Sequence, residues 1–171
     1  MRQYIFILLY FSMFAAHGQT ISVSLNLPTV ALLDVEPTGT VALNFTPPTE
    51  GGAILGSSAT NATKWINVSS AVTTGLTRKI TAQISGTVPS GVRLILQTAN
   101  AATGAGTRGT VVNSVFLSTT AQTIVNGIGG AYTLTGAGNG YNLTYSLDIQ
   151  TYSLLRSGTY SFSVLYTLAD N

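Results

Sequence analysis

The sequence predicts an all-β fold, an antiparallel β-sandwich, over residues 19–171. Apolar and polar residues alternate with a period of two along most of this segment, as in strands that bury one face. Gly, Pro and Asn residues that favour turns separate the alternating runs at short intervals, which is typical of sandwiches. No stretch carries the apolar stripe of an amphipathic helix. A closed barrel has the same periodicity, and the pattern alone does not exclude it.

The first eighteen residues have the pattern of a secretory signal peptide. A basic start at Arg2 precedes the apolar run of residues 4–14, and the small residues Ala16 and Gly18 precede a cleavage point before Gln19. This run has eleven residues, whereas a bilayer crossing needs about 20. A retained anchor is therefore the lesser alternative. We expect an exported chain with one domain at residues 19–171 and no transmembrane segment in that domain.

The alternation predicts each strand in chain order. The predicted strands are residues 21–27, 30–35, 41–45, 65–68, 80–84, 92–96, 111–117, 123–128, 141–149 and 160–168. Glycine-rich and polar composition predicts loops at residues 50–61 and 100–109. The turn-forming residues 89–91 predict an antiparallel hairpin between the strands on either side of them.

The composition of residues 19–171 argues against an enzyme, because this segment has no His, Cys or Met. The usual proton shuttle, thiol nucleophile and soft metal ligands are therefore missing. Once Arg2 is removed, six basic residues face five acidic ones. Such a small, scattered charge does not form the basic patch that nucleic-acid binding requires. We expect no catalytic residues, no cofactor and no metal.

Two weak motifs do not change this expectation. Residues 104–109 match the glycine fingerprint of dinucleotide-binding loops, but a strand-like run follows them where the fingerprint needs a helix N-terminus. Asp34 and Glu36 would share one face of a strand, yet no further acidic residues cluster near them in the sequence. A solvated edge or turn before Pro37 is the preferred interpretation.

Trp65 is the one tryptophan of the chain and has two interpretations. A single Trp in a β-sandwich usually anchors the core, where its ring buries a large area, and this is the preferred interpretation. Alternatively, Trp65 and exposed tyrosines stack against sugar rings. That second interpretation describes a secreted carbohydrate-binding module.

Ile21, Val23, Leu25 and Leu27 form an alternating strand that Pro28 separates from the rest of the chain. The strand either packs as the first strand of its own sandwich, which is the preferred interpretation, or completes the sheet of a neighbouring subunit by β-augmentation. Both end strands are almost uncharged, whereas charge normally protects edge strands from pairing. We therefore predict that these four residues are the assembly strand.

The C-terminus carries a family resemblance. Gly158 stands fourteen places from the end, and alternating apolar residues follow it: Tyr160, Phe162, Val164, Tyr166 and Leu168. This pattern resembles subunits of chaperone-usher pili. Residues 142–147, together with residues 158–160, are also similar to spore-coat-U-type domains and to bacterial surface domains named for a Trp-x-Leu motif. Asp170 stands where pilins usually carry Tyr.

The resemblance implies an immunoglobulin-like, pilin-like sandwich exported to the periplasm or outer surface of a bacterium. It implies a non-enzymatic fimbrial or adhesive subunit that associates with itself, with other surface subunits or with a periplasmic chaperone. In that arrangement the five apolar residues of the last strand would line a groove or core beside the assembly strand.

Overall fold

A computed structural model describes residues 19–171 of the chain, and this part is all-β and antiparallel. Nine strands form one hydrogen-bonded sheet, and a short 3-10 helix, Tyr152–Leu154, lies in the last long connection. The strands are β1 (Val30–Glu36), β2 (Asn61–Ala71), β3 (Arg78–Ser85), β4 (Val92–Thr98), β5 (Ala105–Val111), β6 (Ser114–Leu117), β7 (Gln122–Tyr132), β8 (Tyr141–Ile149) and β9 (Ser163–Asp170).

The sheet has two halves. The first half contains β1, β2, β8, β4 and β6 in that order, and the second contains β5, β7, β3 and β9. Only two residue pairs, Ser69 with Tyr132 and Ser70 with Ala131, join β2 to β7. Elsewhere, the backbone N–H of Ile84 at the end of β3 donates to the carbonyl of Ser118, which follows β6, at 2.7 Å. The two halves therefore meet at two places, which is consistent with the predicted sandwich.

The core lies between the halves and draws on both of them. Its fully enclosed apolar side chains come from β2, β3, β4, β7 and β8: Ile66, Ile80, Ala82, Leu94, Leu96, Ile124, Val125, Ile128 and Leu143. They lie at alternate positions except on β7, where the pairing with β3 is irregular and the adjacent Ile124 and Val125 are both buried. Full burial of one such aliphatic side chain contributes about 1.5–3 kcal/mol. The period-two pattern of the sequence thus reflects which face of a strand points towards the core.

A pair of tyrosines links the two halves across this core. The hydroxyls of Tyr145 on β8 and Tyr166 on β9 lie 2.5 Å apart. Burial raises the pKa of both phenols, and the mutual hydrogen bond raises that of Tyr166 further while opposing the rise at Tyr145. Each half therefore contributes one hydroxyl to a hydrogen bond that water reaches poorly.

The hairpin predicted around residues 89–91 is wrong. Both flanking strands exist, but β3 pairs with β7 and β9, whereas β4 pairs with β6 and β8. The turn carries the chain from one half of the sheet to the other. Alternation specifies which face of a strand is buried and leaves its neighbours unspecified, so the local pattern could not reveal this crossover.

The loop predicted at residues 100–109 is also partly wrong, because β5 begins at Ala105. Gly106 has a φ of +88°, and a Cβ atom there would lie 2.1 Å from the carbonyl oxygen of Gly130 on β7. Glycine therefore permits close strand pairing at a position where any side chain would collide. The glycine fingerprint belongs to a strand, without a helix to hold a phosphate.

Other boundaries also differ from the prediction. The strand predicted at residues 111–117 is interrupted after Val111, and its second part is β6. Residues 41–45 form only an isolated bridge, between Phe45 and Ser58, although Val41 and Leu43 still pack on the core. The prediction for residues 141–149 is confirmed over its whole length as β8.

Candidate assembly interface

The N-terminal segment, residues 19–29, belongs to no strand and is exposed throughout. The side chains of Ile21, Val23, Leu25 and Leu27 are between 79 and 89% exposed. The interpretation that this segment packs as the first strand of its own sandwich is therefore wrong. Four apolar side chains in regular alternation remain in water, where they gain nothing from the hydrophobic effect.

Four strands of the described sheet have a neighbour on one side only: β1, β5, β6 and β9. Three of them are protected in the usual ways. Asp34 and Glu36 place charge on β1, β5 is rich in glycine and contains Arg108, and β6 has only four residues. β9 has eight residues, no proline, and a charge only at Asp170. Its edge is the one best suited to accept another strand.

β1 and β9 contact each other, but no hydrogen-bonded ladder joins them in the described sheet. Both strands direct apolar side chains towards the core, and these side chains remain partly exposed. We call the strip between the two strands the groove; the side chains that border it are Leu33, Val35, Phe162, Val164, Tyr166 and Leu168. All six of these side chains pack against the core and are only partly buried.

The predicted C-terminal strand is confirmed in part. Phe162, Val164, Tyr166 and Leu168 pack against the core as expected. Tyr160 lies before β9 and is 45% exposed. It lines a shallow cavity of about 370 Å³ beside the turn that follows β3, so it does not border the groove.

The exposed N-terminal segment and the groove side of β9 match in length and pattern. Residues 21–27 and residues 162–168 each place four apolar side chains at alternate positions. At 3.3 Å per residue, each run extends for about 23 Å. The two runs therefore match in length and in the spacing of their apolar side chains.

Arg78 closes one end of the groove. Its Nε donates to Oδ1 of Asp170 at 2.8 Å, and its Nη1 donates to the carbonyl of Val30. The same Nη1 reaches Ser70 Oγ at 3.2 Å and the carbonyl of Ala71 at 3.4 Å. One buried guanidinium thus holds together the start of β1, the end of β2 and the end of β9. The N-terminal segment leaves the fold at this end.

Arg78 was not singled out by the sequence pattern. The available signal was its presence at the start of a strand in a chain that has only seven basic residues. The structure also gives a role to Asp170. It supplies the carboxylate that pairs with Arg78.

Trp65 lies on β2 and is half-buried, outside the core described above. The preferred interpretation of a core anchor is therefore wrong. Successive residues of a strand point to opposite faces, and Ile66 occupies the core-facing position. The cross-strand neighbours of Trp65 are Glu36 and Asn142, and neither is a tyrosine.

In residues 19–171, no three His, Cys, Asp or Glu side chains come together as metal ligands would. The same part of the chain contains no helix with the length and apolar character needed for a membrane crossing. Comparison with protein-family models, with curated proteins and with solved structures gives no significant match. The predicted signal peptide falls in residues 1–18, outside the described residues.

Proposed function

We propose that the protein is a non-enzymatic structural or adhesive subunit of the bacterial cell surface, and that it assembles by β-strand addition. Residues 21–27 of one copy pair with the free edge of β9 in another. The observation that carries the proposal is the exposed, unpaired and alternating N-terminal segment in a molecule with an incompletely covered groove.

The chemistry of strand addition suits both surfaces. Main-chain hydrogen bonds between the added strand and β9 supply affinity, and side chains at alternate positions fill the groove and supply specificity. Ile21, Val23, Leu25 and Leu27 are the inward-facing set, whereas Ser22, Ser24 and Asn26 face solvent. Burial of the four apolar side chains offsets the entropy lost when the segment becomes ordered.

Export fits this role. A subunit with an open groove is exposed to wrong pairings before it reaches its neighbour, because a free edge strand pairs readily. A periplasmic chaperone that covers the groove temporarily is therefore a partner of the proposed subunit, along with further surface subunits. The low charge of the chain fits close packing between copies, since charged residues are only 7% of it.

The test compares the chain that begins at Gln19 with one that begins at Thr29, by light scattering across a range of concentrations. We expect the longer chain to assemble and the shorter one to remain monomeric. If both assemble equally, or neither assembles at any concentration, strand addition is wrong.

A matched pair of full-length variants separates the effect of the apolar side chains from the effect of shortening the chain. Val23→Ser combined with Leu25→Ser changes the inward-facing set and should abolish assembly. Ser22→Ala combined with Ser24→Ala changes the opposite face of the same segment and should preserve it. Equal assembly of the two variants would contradict the proposal.

The alternative is a secreted carbohydrate-binding module, and the half-burial of Trp65 outside the core favours it. As the one tryptophan of the chain, Trp65 is a specific fluorescence reporter. Saturable quenching by an oligosaccharide, lost in Trp65→Phe, would support this alternative. Unchanged emission across a panel of neutral and acidic oligosaccharides would oppose it.

A further inference from the structure

We infer that the connection between Leu27 and β1 keeps the N-terminal segment out of its own groove, so that residues 21–27 enter the groove of a second copy. This inference rests on the proposed strand addition. It goes further by assigning to Pro28 and Val30 the role of preventing self-insertion.

The fixed position of Val30 limits how the N-terminal segment could turn back into its own groove. Its carbonyl is held by Arg78, and its Cα is in register with Ala71, so β1 starts at a fixed point. To enter its own groove, the segment must reverse direction next to Val30 and run antiparallel to β1. Such a reversal is most often made by hairpin loops of two or three residues, and less often by longer loops.

A two-residue loop at Pro28 and Thr29 places the wrong side chains inward. Leu27 would then pair with Val30, which puts Ser24 opposite Leu33 and Ser22 opposite Val35. Directly opposite residues share a face of the sheet, so serines would fill the groove and the apolar set would remain in water. The loop itself is also unfavourable, because its first residue needs a positive φ and proline is fixed near −65°.

A three-residue loop over residues 28–30 corrects the face but is blocked by Val30. Leu25 would then lie opposite Leu33, and Val23 opposite Val35, with apolar side chains inward. However, the third residue of such a loop adopts the left-handed conformation, which is normally taken by glycine. A β-branched residue is a genuine outlier in that region. Val30 would also lose its place in the ladder with Ala71.

A five-residue loop over residues 27–31 restores the inward face only by removing Leu27 and Ala31 from pairing. The segment would then give up one of its four apolar contacts. A second copy imposes none of these constraints, because its segment enters the groove without a covalent turn. Insertion between copies therefore uses all four apolar residues.

The decisive variant is Val30→Gly in the chain that begins at Gln19. Glycine adopts the left-handed conformation at little cost, so the three-residue loop becomes available. We expect this variant to lose assembly and remain monomeric at concentrations where the unsubstituted chain assembles. Val30→Ala is the matched control, because it removes the two γ-methyl groups but keeps the Cβ atom that disfavours that conformation, and it should still assemble.

A second control supplies a good turn in the wrong register. Pro28→Asn combined with Thr29→Gly creates the Asn-Gly pair of a two-residue loop, which would turn serines inward. This variant should therefore assemble like the unsubstituted chain. Assembly of Val30→Gly to the same extent as Val30→Ala, or a monomeric Asn-Gly variant, would overturn the inference.

Amide hydrogen exchange keeps the inference testable if Val30→Gly fails to fold. Residues 21–27 of the unsubstituted chain should exchange freely in dilute monomer and be protected in assemblies. Protection of these amides in the monomer would show self-insertion and would contradict the inference. If the unsubstituted chain never assembles, the proposed function fails; if it assembles and Val30→Gly does too, only the inference about the turn fails.

Discussion

Arg78 and Asp170 form an ion pair across the first residue of β3 and the last residue of β9, with 2.8 Å between Nε and Oδ1. The two partners differ sharply in environment, since the side chain of Arg78 is 9% exposed and that of Asp170 is 70% exposed. The arginine also donates to Val30 and Ser70 on two further strands. Its contribution therefore depends more on buried hydrogen bonds than on attraction to the carboxylate.

This asymmetry predicts that substitution of Arg78 lowers the free energy of unfolding more than substitution of Asp170 does. Arg78→Met leaves several buried acceptors without a donor and should lower the free energy of unfolding by about 3 kcal/mol. Asp170→Asn removes only an exposed charge and should cost about 1 kcal/mol or less. Urea denaturation of both variants measures the difference. Equal losses would show that Arg78 stabilises the fold mainly through its ion pair with Asp170.

The buried tyrosines predict a loss of stability in alkali. Burial raises the pKa of Tyr145 and Tyr166 above the ordinary value of 10.0, and it raises that of Tyr141 to about 12, with Arg108 opposing. Above pH 10 the unfolded chain releases phenolic protons that the folded chain retains, so the free energy of unfolding falls as pH rises. Below pH 10 this contribution is fully present.

Tyr166→Phe tests that origin. The variant should cost about 1 kcal/mol at neutral pH, because Tyr145 loses its hydroxyl partner. Between pH 10 and about 12 its stability should fall less steeply than that of the unsubstituted chain, as followed by denaturation at each pH. Identical slopes would place the alkaline sensitivity elsewhere.

Gly106 predicts a strong dependence of folding on the absence of a side chain. Gly106→Ala places a Cβ atom 2.1 Å from the carbonyl oxygen of Gly130, at a φ of +88°. Gly127→Ala is the matched control, with a φ of +76° and open space around the added atom. We expect a cost of about 1 kcal/mol at Gly127 from backbone strain alone and a clearly larger cost at Gly106. Similar melting temperatures would remove the steric argument.

Leu165 tests which edge accepts the added strand. It lies on β9 and is 51% exposed, and Leu76, in the turn before β3, has a similar exposure of 54%. A lysine on an edge strand opposes pairing. Leu165→Lys should therefore reduce assembly of the chain that begins at Gln19, and Leu76→Lys should not. Both variants should unfold at nearly the same denaturant concentration as the parent, since neither side chain is buried.

The sequence was most informative where the physics is local. Alternation identified β8 from end to end, and it identified the core-facing residues Ile80, Ala82 and Ile84 on β3. It also marked Ile21 to Leu27 as a strand-like run, because the spacing of apolar side chains is visible without any knowledge of neighbours. Its failures have a common cause. The burial of Trp65 and the pairing of the strands that flank residues 89–91 are both set by the packing of other strands, which the local pattern does not show.

The sequence by itself therefore determined that residues 19–171 are built from antiparallel strands and, on strands such as β3 and β8, which side chains turn inward. Only the tertiary structure decided that β3 and β4 lie in different halves, that Arg78 joins three strands, and that residues 19–29 remain unpaired. The reason is that burial of one face produces an alternation of apolar residues that is visible within each strand. Strand pairing, in contrast, depends on contacts between segments far apart in sequence, and the pattern of a single strand does not identify its partners.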